Sequence, residues 1–228
     1  MSSLLSDQAY QLIRRDIIQC TLPPGLTVAQ AQLVERYQLS VTPVREALKR
    51  LEQEGYVQSI PRFGYLITPI TVQDIEDIYE LRLMLEKPAV RLAAQRATDA
   101  QLDELQAHAR FSYVYKDPQS YQEFLQANVG FHTDLALLSG NRRLAENIGR
   151  LLDEMNRIFH LGLEVRDSAE EMKNEHMALS GALATRNTKL AEEIMEDQIN
   201  RSKQRVLEMI NQGNIRSHTT FSIRDEKY

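Results

Sequence analysis

Helix-start signals recur through the last two-thirds of this chain. They fall at Thr71–Asp74, Thr98–Gln101, Asp117-Pro118, Asn141, Ser168–Glu171 and Asn187. Each places a side-chain oxygen ahead of an amphipathic stretch, where it can accept an otherwise unpaired end amide. The spacing predicts six helices, ending near Arg96, Lys116, Gly140, Val165, Thr185 and Asn211. Pro88 should kink or restart the first of them. Six such helices form a bundle large enough for its own core.

The first 70 residues are punctuated differently. They hold five of the seven prolines, and all five histidines lie beyond them. Leu5, Ala9, Leu12, Ile13 and Ile17 have helical spacing, and Leu22-Pro23-Pro24-Gly25 ends that helix. Thr27-Val28-Ala29-Gln30 fits a capping box opening a short helix at about 28–37. After a turn at 39–41, Thr42 as N-cap and Pro43 as first helical residue start the next helix, which Gly55 stops. Residues 56–60 and 65–68 read as strands around the hairpin tip Pro61-Arg62-Phe63-Gly64. Helix, turn, helix, hairpin is the order of a winged helix-turn-helix. The fold class is therefore mainly α: a winged helix-turn-helix over 1–70, a helical bundle over 71–212, and a polar, mobile tail over 213–228.

Charge narrows the partners. Net charge is −5, yet residues 1–70 carry seven Lys and Arg against six Asp and Glu, so the acidic surplus belongs to the second region. A wholesale nucleic-acid coat is excluded; one local basic face is not. The single cysteine, Cys20, rules out an internal disulfide framework or a cysteine metal cage. Asp7, Arg14, Arg15 and Asp16 interrupt any signal-peptide core, and no apolar run is long enough to span a bilayer. A cytoplasmic protein with no membrane partner is the expectation.

The helix after Thr42 carries the chemistry. Val44, Ala47, Leu48 and Leu51 form its inward stripe, leaving Thr42, Arg45, Glu46, Lys49 and Arg50 outside. Arg suits bidentate pairing with guanine edges and Lys suits phosphates. Backbone N–H groups near Thr42 and Val44 are also placed for a phosphate oxygen, and Arg62 at the hairpin tip for a minor groove or phosphate. The same charges fit the solvated face of a small module that docks on protein. DNA contacts on Thr42, Arg45, Lys49, Arg50 and Arg62 compete with that alternative.

Residues 9–68 resemble the DNA-binding domain of the GntR family of bacterial transcription regulators. The resemblance rests on Leu33-Val34-Glu35-Arg36-Tyr37, on Ser40-Val41-Thr42-Pro43-Val44-Arg45-Glu46-Ala47-Leu48, on Leu51 through Val57 and on Pro61-Arg62-Phe63-Gly64. Two positions depart from it: Val41 and Ala31 stand where many or some members have basic DNA contacts, which implies an altered sequence preference. The bundle resembles the FCD domain of the FadR-type subgroup through Asp74–Arg82, Leu85–Ala89, Phe131-His132, Ser139-Gly140-Asn141 and Glu175-His176. The resemblance implies a dimeric, ligand-responsive regulator, by family habit a repressor, bound to an inverted-repeat double-stranded operator. It implies no enzyme, and the chain has no nucleophilic triad, phosphate loop or dinucleotide fingerprint.

Tyr121, Leu125, Asn128, His132 and Leu135 share one helix face, and Met172, His176, Leu179 and Leu183 share another. His132 and His176 thus sit on inward stripes. The resemblance implies a divalent-metal site at Asn128, His132, His176 and Gln198, where the family carries Asp, His, His and His. Two imidazoles remain and two ligands have become amides, so Zn or Ni binding should be weak or lost. The alternative is a metal-free polar pocket whose amides and imidazoles hold a small molecule, with Arg82 charging it for a carboxylate. Arg82 equally fits a salt bridge to Glu86, four residues on. His108, His160 and His218 read as surface or structural residues. A second function therefore stays open: a small-molecule or metal-binding module whose winged helix docks on protein.

Overall fold

The computed structural model describes residues 2–211. The predicted tail at 213–228 and His218 lie outside the described residues. The chain forms two compact units, one up to Thr71 and one over Val72–Asn211.

The first unit runs α1 (Ser2–Ile18), β1 (Thr27–Val28), α2 (Gln30–Tyr37), α3 (Val41–Gln53), β2 (Val57–Ile60) and β3 (Gly64–Ile67). Ala9, Ile13 and Ile17 of α1 pack with Val44, Leu48 and Leu51 of α3 and with Leu33 of α2 in a single apolar core. Leu5, expected on that stripe, is exposed. Asp16 is buried beside this core. Its carboxylate accepts from the Tyr37 hydroxyl at 2.8 Å and from Arg36 Nε at 3.0 Å, tying α1 to α2.

Two helices start at other residues than their local signals predict. Thr27 is not a cap; it lies in β1, paired with Leu66. The helix begins instead after Ala29, whose N–H donates to Gln32 Oε1 at 2.8 Å. Thr42 is not the N-cap of α3 either. Ser40 is, and Thr42 and Pro43 are the second and third helical residues. Pro43 fits there because first-turn amides have no intrahelical acceptor to lose.

β1 was not foreseen, because a two-residue strand exists only through its partner. The antiparallel sheet has the order β1-β3-β2, with Val57 opposite Ile67 and Ile60 opposite Gly64. Gly64 is required where β1 crosses: its φ is +113°, and a Cβ there would lie 2.4 Å from the Val28 carbonyl oxygen.

The second unit contains α4 (Val72–Arg96), α5 (Asp99–His108), α6 (Pro118–Leu138), α7 (Arg142–Val165), α8 (Ala169–Ala184) and α9 (Thr188–Asn211). Side-chain caps hold four of the starts: Thr98 accepts from Gln101 N–H, Asp117 from Gln119, Asn141 from Leu144 and Asn187 from Leu190. Pro88 does not restart α4, which runs through it. α5 ends at His108, eight residues before the predicted Lys116. Aromatic anchors in the following segment take over: Phe111 packs on Phe124, Phe131 and His176, and the Tyr113 hydroxyl accepts from the buried Ser168 N–H at 2.8 Å. His160 is buried, edge-on to Tyr121, so its reading as structural rather than surface is the one that applies.

Candidate functional site

In the first unit, α2 and α3 meet at a tight turn. Gln38 adopts left-handed backbone (φ 54°) and ends α2, and Gln30 Nε2 of α2 donates to the Val41 carbonyl at 3.4 Å. This fixes the start of α3. Val44, Ala47, Leu48 and Leu51 are buried, so Thr42, Arg45 and Lys49 are left exposed at helical spacing. Among the described residues neither Arg45 nor Lys49 makes an ion pair. Arg50 is placed differently. Its guanidinium lies 3.7 Å from the Tyr10 ring centroid, its Nε donates to Glu54 at 3.2 Å, and Asp7 is 3.5 Å away. Glu46 accepts from Ser6. Glu46 and Arg50 therefore form the edge of α3 that packs on α1, and Thr42, Arg45 and Lys49 form the edge open to a ligand. Arg62 is exposed at the hairpin tip with φ 71°.

The second unit brings Asn128, His132, His176 and Gln198 around one cavity, together with Arg82 and Arg205. α4, α6, α8 and α9 each supply part of its wall. The cavity is about 10 Å³, room for about one water. Beside it lies a buried charged cluster. Arg82 Nε donates to Glu86 Oε1 at 2.6 Å, and Glu86 Oε2 lies 2.7 Å from His132 Nδ1. Burial alone would push the Glu86 carboxyl up, but Arg82 and then His132 outweigh it and hold it at about 2. With Nδ1 facing a carboxylate, His132 keeps Nε2 as its second polar atom.

His176 is set by a backbone partner. Its Nδ1 lies 2.7 Å from the Met172 carbonyl oxygen and its Nε2 lies 3.1 Å from Asn128 Oδ1. A carbonyl only accepts, so Nδ1 carries the proton. Burial, and next the neighbouring His132, lower the His176 pKa well below its ordinary value, so the ring is neutral. Nε2 is then an acceptor facing Asn128 Oδ1, so a hydrogen bond between them requires the Asn128 amide to flip and present its NH₂. Gln198 Oε1 is buried with no hydrogen-bond partner among the described residues. At the far wall, Arg205 makes a two-nitrogen clamp on Glu175 at 2.9 Å. Glu175 and Gln198 also line an open groove of about 340 Å³ between α8 and α9.

These donors do not fit a tight transition-metal centre. Among the described residues no group of three or more His, Cys, Asp or Glu is placed to hold a metal ion. Of the nearby carboxylates, Glu175 is clamped by Arg205 and Glu86 faces Arg82 and His132; Asn128 faces His176, and two guanidinium groups share the wall. Glu86 is the residue the sequence reading assigned only to a salt bridge. Its burial beside Arg82 on the inward stripe of α4 was the available signal.

A winged helix-turn-helix with an open basic helix edge, carried on the same chain as a helical bundle, is the arrangement of a DNA-binding transcription regulator. Residues 5–67 match the bacterial regulatory proteins of the gntR family, and residues 77–201 match the FCD domain. The chain belongs to the GntR family, in its FCD-containing branch. It is 26% identical over 212 residues to the HTH-type transcriptional regulator YdhC of Bacillus subtilis, spanning 90% of this chain and 92% of that one. It is 23% identical over 191 residues to the HTH-type transcriptional repressor RspR of Escherichia coli, spanning 84% of both. In fold it resembles E. coli McbR/YncC, with a TM-score of 0.69 at 22% identity over 91% of this chain and 99% of that one. No helix among the described residues is long and apolar enough to cross a membrane.

Proposed function

We propose that this chain is a cytoplasmic, effector-responsive repressor that binds an inverted-repeat operator as a homodimer. The observation that carries the DNA reading is the open edge of α3. Arg45 and Lys49 are exposed, unpaired among the described residues, and held in register by the buried stripe behind them. Arg45 reads a base edge, Lys49 and Arg62 neutralise phosphates, and Thr42 contributes at the helix start. Arg50 contributes through its packing on Tyr10, which steadies α3 against α1. A two-fold dimer supplies a second copy of this small basic face and calls for a palindromic site. Repression follows the names of two E. coli relatives, RspR and GlaR.

The effector site is the cavity around His132, His176, Asn128 and Gln198, with Arg82 as its buried cation. Arg82 supplies positive charge suited to a small carboxylate, and admitting one requires the cavity, which holds about one water, to open and Arg82 to exchange Glu86 for the ligand. Binding biases the placement of the DNA-reading heads only to the extent that the ligand prefers one arrangement.

The direct test is titration of the full chain with an inverted-repeat duplex at several salt concentrations. Affinity that falls steeply and log-linearly with salt supports phosphate contact by this face. Salt-independent binding would favour the alternative, a winged helix docked on protein.

A further inference from the structure

Val41 is the only exposed apolar residue of α3, with 55% of its surface open at the first turn of the helix. It is not among the residues of the first unit's core. It stands one turn before Arg45 on the same side of the helix and next to Thr42. Its backbone is fixed by the Gln30 side chain, which donates to its carbonyl. In helix-turn-helix proteins the N-terminal residues of the second helix approach base edges in the major groove. The apolar group that bases present there is the thymine C5-methyl.

We propose that Val41 is a specificity-determining residue whose isopropyl group packs on the C5-methyl of a thymine close to the base read by Arg45. The proposal rests on α3 being the recognition helix. A side chain with no hydrogen-bonding atom gains little from guanine or cytosine edges, whereas contact with a methyl removes apolar area from water on both partners. Val41 also leaves neighbouring polar edges unpaired when the methyl is absent, so it discriminates by exclusion as well as by contact.

The test uses the full-length chain. A half-site is first selected from randomised duplexes, and each thymine in it is then replaced, symmetrically, by deoxyuridine, which removes only the methyl. One thymine should show a loss of about fourfold per half-site, the equivalent of one buried methyl. In Val41→Ala the same replacement should cost nothing, closing a double-mutant cycle. The Ala variant keeps its fold, since position 41 is exposed and Ala favours helix; its unfolding curve checks this. Three results overturn the proposal while leaving α3 as the recognition helix, provided Arg45→Ala still abolishes sequence preference. These are a selected site without thymine, uracil tolerated at every thymine, or a uracil penalty that persists in Val41→Ala. If Arg45→Ala and Val41→Ala both leave sequence preference unchanged, the recognition-helix reading itself fails and the proposal with it.

Discussion

Glu86→Ala should destabilise the helical unit severely. The Glu86 and Arg82 side chains are 2% and 3% exposed, and they meet at 2.6 Å. The second carboxylate oxygen faces His132 Nδ1 at 2.7 Å. Deleting the carboxylate leaves a buried guanidinium without its acceptor and removes the charge 2.7 Å from His132 Nδ1. Breaking one side of such a pair costs about 3–5 kcal/mol. Replacing both partners, as Arg82→Met with Glu86→Leu, removes the uncompensated charge. It leaves no buried unpaired guanidinium, so the double variant should be more stable than Glu86→Ala. Denaturant unfolding of the full chain, followed by far-UV circular dichroism, reports mainly the all-helical unit and measures both. A loss below about 1 kcal/mol for Glu86→Ala would refute the reasoning, as would a double variant whose loss is the sum of the two single losses.

The remaining predictions concern protons and metal. His176 is held neutral, with its folded pKa below the ordinary 6.5. Its contribution to stability is complete above about 6.5 and is lost as pH falls through the folded value. Unfolding midpoints between pH 7 and 5 should therefore fall less in His176→Gln than in the wild-type chain; equal slopes would show that the ring is not buried neutral. For metal, calorimetric titration at one pH should show weak Zn or Ni binding by the wild-type chain and tighter binding by Asn128→Asp combined with Gln198→His. The double change restores a charged oxygen and a third imidazole. Equal affinity in the two proteins would mean that these four positions do not converge on one ion.

The parts of the fold legible in the sequence were those set by local chemistry. Asn141, Asp117 and Thr98 each satisfy an amide two or three residues away, so their helices start where composition says they do. What was missed depends on partners distant in sequence. β1 needs β3, some forty residues on, and the Thr27 capping signal was a local alternative that pairing overrode. α5 stops early because Phe111 and Tyr113 find ring and backbone partners on α6 and at the start of α8. The same distinction applies to the cavity. Asn128 and His132 lie one turn apart, and His176 shows the same inward spacing on α8. The pairing of Glu86 with His132 crosses from α4 to α6 and has no local spacing to announce it. The nearest sign was two opposite charges, Arg82 and Glu86, in the stripe that also holds Ile75, Tyr79, Ala89 and Ala93. Asp16 is a second case: its partners Arg36 and Tyr37 sit about twenty residues away on another helix.

The most direct test of the account compares wild-type and Arg45→Ala chains by fluorescence anisotropy on the selected operator and on a scrambled duplex of equal length and salt. If the open edge of α3 reads DNA, Arg45→Ala loses about 1–3 kcal/mol of operator binding and most of the preference over the scrambled duplex. Its affinity for the scrambled duplex should change little by comparison. An Arg45→Ala chain with unchanged operator affinity and unchanged preference would contradict the assignment of α3 as the DNA-reading helix.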